Sequence, residues 1–141
     1  MGKSFEVIWW KDAPDVWMPY APAITATGKK TIYCAGVNAA PVYHSHPHIP
    51  EEFDSIPLDM EAQARITYDN LKKSLESAGA TFDDVVVLNR FLTDLTNQDA
   101  ANKVHGECFP THKPTTTTVK VVELATDPRC MLEITAIAVI D

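Results

Sequence analysis

The run at residues 131–139, MLEITAIAV, leaves this chain few ways to fold. Val, Ile and Thr favour strands, and strand side chains alternate between two faces. Leu132, Ile134, Ala136 and Ala138 share one apolar face, while Met131, Glu133, Thr135, Ile137 and Val139 share the other. Glu133 is the exception, because carboxylates are seldom buried without a partner. Residues 114–124, PTTTTVKVVEL, read as a second strand of the same kind. The polar turn around Asp127 and Pro128 is compatible with a hairpin-type connection between the two.

Upstream, residues 5–10 (FEVIWW), 21–27 and 31–37 (TIYCAGV) read as strands, and Gly28-Lys29-Lys30 as a turn. Gly36 marks a bulge or a close approach of a ligand to the backbone. Residues 38–57 form an irregular, proline-broken segment, and loops of that length in a compact domain are often functional. Residues 59–78 are the clearest helix, with Asp59 as N-cap and Gly79 just past the end. Met60, Ala64, Tyr68, Leu71, Leu75 and Ala78 make its apolar stripe. Residues 83–95 read as a further strand. A second helix follows, capped by Thr96 or Asn97 and running to Cys108 or Phe109. Ala101, Val104 and Cys108 lie on its core stripe; Asn102, His105 and Phe109 lie on a neighbouring face. This order predicts one α+β domain over residues 1–141, with both helices on one side of a single mixed sheet. The other side of the sheet then needs a cover, which a small oligomer supplies.

Twelve Lys and Arg against 19 Asp and Glu give a formal net charge of −7. That disfavours nucleic acid as a partner. Cys34, Cys108 and Cys130 are widely spaced and form no CxxC pair, so neither a zinc knuckle nor a disulfide framework is indicated, and a reducing, cytoplasmic setting fits. No run of about 18 apolar residues is present to span a membrane. The three tryptophans, Trp9, Trp10 and Trp17, read as core or interface residues.

Glu133 has two readings from its surroundings alone. One is a general base or acid that positions a water, its pKa raised by burial. The other is a structural carboxylate held by amides or a cation.

Several short pieces, in order along nearly the whole chain, resemble the Rid/YjgF family. They are the reactive-intermediate (enamine/imine) deaminases, also described as L-PSP endoribonucleases. The pieces are Ala13-Pro14 with Pro19-Tyr20, the strand ending Ala35-Gly36, and Glu61-Ala62-Gln63-Ala64-Arg65 with Asp69-Asn70. Further matches are Ala78-Gly79, Asp84-Val85-Val86, Leu92-Thr93-Asp94-Leu95, Asn102, Phe109, Pro114 and residues 132–139. The resemblance implies a chorismate-mutase-like α+β fold, a homotrimer with clefts between subunits, and a small-molecule substrate. It implies no metal or organic cofactor. Carried over by position, the water-orienting Glu is Glu133, the rim Tyr is Tyr20, the rim Asn is Asn102, and the Gly facing the ligand is Gly36.

One position departs from the family pattern. The deaminase motif Pro-x-Arg-x-x-Val reads Pro114-Thr115-Thr116-Thr117-Thr118-Val119, which puts Thr116 where the substrate-carboxylate Arg belongs. A guanidinium makes two charge-assisted bonds to a carboxylate, and a hydroxyl makes one neutral bond. Either the substrate lacks a carboxylate there, or another cation binds it. Lys120, on the Thr116/Thr118 face, and His105, one turn from Asn102, are the candidates. The expected pocket is thus Tyr20, Gly36, Asn102, His105, Thr116 and Thr118 around catalytic Glu133.

His44, His46 and His48 alternate, so an extended chain points all three one way. Three imidazoles can hold Zn²⁺, but Pro47 interrupts the run and no motif spacing fixes the ligands. The expectation is a lid or an intersubunit contact, with no metal. The composite expectation is a hydrolase of enamine or imine C–N bonds, with an aminomuconate-like intermediate as one conceivable substrate. Its rival is a trimer of the same fold that binds or regulates without turnover. The acidic composition counts against a ribonuclease.

Overall fold

The computed structural model describes residues 2–141. Strands β1 (Ser4–Ile8) and β2 (Ala23–Thr27) form an antiparallel ribbon. A four-stranded sheet comprises β3 (Lys30–Val37), β4 (Val85–Leu92), β5 (Thr115–Lys120) and β6 (Leu132–Ile140), in the order β3-β6-β4-β5. The α+β class and the mixed sheet match the expectation from sequence. The strands divide, however, into a ribbon and a larger sheet.

β6 pairs antiparallel with both β3 and β4, and β4 pairs in parallel with β5. The expected hairpin between the last two strands is therefore absent, because β4 lies between β5 and β6. Adjacent strands sit about 4.8 Å apart, so residues 121–131 have ample length to step over one strand. The connection is tied down by Arg129, which donates to Asp127, Asp54 and the Pro50 carbonyl.

Helices α1 (Met60–Ser77) and α2 (Gln98–Cys108) cover one face of the sheet. The Asp59 carboxylate accepts from Ala62 N–H at 3.0 Å, and Gly79 takes φ +81°, the left-handed value that ends a helix. Met60, Ala64, Tyr68, Leu71 and Leu75 pack on Leu88, Leu92, Leu132, Ile134, Ala136 and Ala138. Ala78, expected on that stripe, is instead the exposed C-cap residue. Gln63 is fully buried and satisfied: its amide donates to the Pro57 and Arg129 carbonyls and accepts from Met131 N–H.

The opposite face of the sheet is only partly covered. Residues of the 38–57 segment fold over one end, where Ala39, Ala40, Phe53 and Ile56 pack with Leu124 and Cys130, and Phe91 and Val121 lie against them. Elsewhere on that face Tyr33 is 77% exposed, beside its cross-strand partner Ile137. Trp9, Trp10 and Trp17 are exposed rather than core. All three cysteines are free thiols, and burial raises each of them. Among the described residues no helix is long and apolar enough to cross a membrane.

Candidate active site

The helix side of β4 and β5 opens into a cavity of about 750 Å³, closed on one side by the loop before β2. Five of the seven expected site residues line it: Tyr20, Asn102, His105, Thr116 and Thr118. Strand alternation and parallel register account for the wall. Thr116 and Thr118 lie opposite Leu88 and Arg90, and therefore share the helix-facing side. Asn102 and His105 reach the same space from α2, three residues apart on one helix face. No Asp or Glu lines the cavity, although the chain carries 19 of them.

The decisive residue in this cavity is one that the sequence motifs do not flag. Arg90, on β4, is 4% exposed. Its Nε donates to Thr118 Oγ1 at 2.9 Å, and Nη2 donates to Asn102 Oδ1 at 2.7 Å. Among the described residues no carboxylate lies within ion-pair distance of it. A buried guanidinium held only by neutral acceptors is an unbalanced charge, and such charges are costly without an anion. Lys113 lines the same cavity, so its two charged side chains are both cations.

Neither cation suggested by the sequence takes this role. Lys120 is exposed and does not line the cavity. His105 is half-buried, and burial, with Arg90 and Lys113 nearby, pushes its pKa down to about 4. The ring is therefore neutral near pH 7, and its Nδ1 is hydrogen-bonded to the Tyr68 hydroxyl at 2.7 Å. Burial pushes that hydroxyl well above the usual phenol range, with the Arg90 charge acting against it. Thr116 is turned onto its own strand, donating to the Pro114 carbonyl at 3.1 Å.

Glu133 and Gly36, the two remaining expected residues, lie elsewhere. Glu133 pairs across the ladder with Phe91, on the face away from the helices, and does not line the cavity. It is half-buried, and Asn38 Nδ2 donates to its Oε1 at 3.1 Å. Asn38 is itself fixed by Thr126 Oγ1 and by Ala40 N–H, which donates to Asn38 Oδ1. The β3–β6 ladder shifts register between Cys34 and Val37, so Gly36 sits in a bulge. A Cβ there would stand 2.8 Å from Glu133 Oε2, so only glycine leaves the carboxylate its place. Arg90 and Glu133 thus lie on opposite faces of the sheet.

Residues 10–140 match the family described as endoribonuclease L-PSP. The chain belongs to the Rid/YjgF family. Among its relatives is the protein named "Putative reactive intermediate deaminase TdcF" of Escherichia coli (strain K12), 33% identical over 76% of this chain and 85% of that one. A RutC family protein of Pyrococcus abyssi is 33% identical over 94% of this chain and 95% of its own. Among solved structures, the Rid-family protein YyfB from Yersinia pestis superposes with a TM-score of 0.75, at 25% identity over 96% of this chain and 98% of that chain. E. coli TdcF with bound serine superposes at 0.65, with 28% identity over 96% and 99%. Deaminase naming thus recurs in the family to which this Rid chain belongs, and one relative is known with a small amino acid bound.

Proposed function

We propose that this Rid protein is a deaminase that hydrolyses an imine or enamine carrying a carboxylate, in a cleft completed by two protomers of a homotrimer. The observation that carries this reading is Arg90, a buried guanidinium without an anionic partner in an acid-free cavity. It answers the Thr116 departure, since β4 supplies from the next strand the charge that β5 lacks. The bound serine of TdcF, an amino acid with its own carboxylate, supports a pocket of this polarity.

The reaction divides between the two half-sites. Arg90 and Lys113 hold the substrate carboxylate, with Asn102, Thr118, neutral His105 and Tyr20 shaping the wall. Glu133 of the neighbouring protomer, oriented by Asn38, accepts a proton from water as the water oxygen attacks the imine carbon. The C=N electron pair moves to nitrogen, which takes up a proton. The hydroxyl proton of the resulting carbinolamine passes to the nitrogen as the C–N bond breaks, which leaves a carbonyl and releases ammonia. An enamine first takes a proton on carbon and then follows the same course.

The test is ammonia release from paired imines with and without a carboxylate. The acid is expected to be preferred by roughly 10–100-fold, the worth of a charged hydrogen bond in a desolvated site. Arg90→Met should raise KM by a similar factor. Glu133→Gln should lower kcat by about 10²–10⁴-fold. Unchanged turnover in Glu133→Gln would remove the mechanism. Carboxylate binding by calorimetry with no turnover of any substrate would favour the second reading, a ligand-binding or regulatory trimer. That reading draws on Thr116 in place of the deaminase Arg, and on Glu133 lying on the other face of the sheet from the cavity. A nuclease reading gains nothing from a chain with net charge −7.

A further inference from the structure

The 38–57 segment carries a side-chain cluster with no part in the proposed chemistry. One ring nitrogen from each of His44, His46 and His48 lies within 4.8 Å of the other two. The rings stand 4.7, 4.9 and 5.2 Å apart by centroid. The three rings converge although Pro47 interrupts the run.

Two further observations point to a ligand. His44 Nδ1–H donates to the Pro41 carbonyl at 2.7 Å, which leaves Nε2 as the nitrogen with a free lone pair. Such a bond to the other ring nitrogen is the usual outer support of a metal-bound histidine. The rings of His44 and His48 also rest edge-on against Phe53, at 5.1 and 5.5 Å, and Phe53 is 1% exposed. Two of the three ligands are thus backed by a fixed core side chain. Glu52 stands beside them, its Oε2 accepting from Ser45 N–H at 3.0 Å, and brings negative charge to the neighbourhood.

We propose that His44, His46 and His48 bind a divalent transition-metal ion of the zinc type, which clips the 38–57 segment closed. Imidazole ligands suit Zn²⁺, Co²⁺, Ni²⁺ and Cu²⁺, whereas Mg²⁺ and Ca²⁺ take oxygen ligands. Tetrahedral binding at Zn–N distances near 2.0–2.1 Å puts donors about 3.3 Å apart. Small rotations of the exposed His46 and His48 rings bring the present set towards that spacing. Three protein ligands leave the fourth position to water.

The experiment uses tag-free full-length protein with ZnCl₂, CoCl₂ and MgCl₂. Competition against a chromophoric chelator should give one Zn²⁺ per chain with a Kd on the order of 1 μM or tighter. Co²⁺ should give a tetrahedral visible spectrum without a thiolate charge-transfer band. Chymotrypsin should cut after Tyr43, which is 95% exposed, and Zn²⁺ but not Mg²⁺ should suppress that cut. His46→Asn and His48→Asn should each weaken binding at least 10–100-fold, the cost of losing even an outer support. His112→Gln should leave binding unchanged. Absence of Zn²⁺ binding, a thiolate signature with Co²⁺, or equal affinity in the His46→Asn/His48→Asn double variant would each overturn the proposal.

Discussion

Strands β4 and β6 each carry a single charged side chain, on opposite faces of the sheet. Glu133 is legible in the sequence because MLEITAIAV contains a single charge. The same reasoning applied to VVVLNRFL singles out Arg90, yet attention to the motif position at Thr116 hides it. The guanidinium reaches the cavity from a neighbouring strand, and only register reveals that Arg90 and Thr118 are cross-strand partners. Asn38 carries no sequence signal at all, since its role depends on a bulge and on a carboxylate 95 positions away. His105 makes the residue-scale prediction. Its pKa lies near 4 in the folded protein against about 6.5 when unfolded, so between these values the unfolded chain binds a proton that the folded chain refuses. Stability from this source is complete above about pH 6.5 and falls as pH drops towards 4. The loss should reach about 1–3 kcal/mol. Urea unfolding across that range should show this slope, and His105→Gln should flatten it.

At the scale of elements, α1 was the most legible part of the chain. Its N-cap, its stripe and its terminal glycine all act locally, and each is met within a residue or two. The order of the last two strands was not legible. Hairpin chemistry at Asp127 and Pro128 is a local signal, whereas the insertion of β4 between β5 and β6 is set by burial of β4 on its neighbours. The ties that fix this arrangement are equally non-local. Gln63 joins α1 to the Pro57 carbonyl and to both backbone groups at the entrance to β6. Gln63→Ala strands these partners in a dry site, where each unsatisfied group costs about 1–3 kcal/mol. The variant should lose about 3 kcal/mol in chemical denaturation, and Gln63→Glu should not restore it, because a carboxylate cannot donate to two carbonyls.

For the whole molecule, the governing feature is the separation of Glu133 from the cavity. Alternation along β4 and β6 sends Arg90 to the helix side and Glu133 to the bare side, so no rotamer change within one chain unites them. The trimer proposed above solves this if one protomer's bare face, with exposed Tyr33, sits on another's cavity rim. This arrangement makes defects curable by company. An Arg90→Met chain keeps a sound carboxylate half, and a Glu133→Gln chain keeps a sound cation half. Unfolded together in equal amounts, refolded and assayed well below KM, the two weakened preparations should recover activity, since random assembly gives about a quarter of clefts one good half from each parent. Preparations refolded apart and then combined without exchange of subunits should show no such recovery.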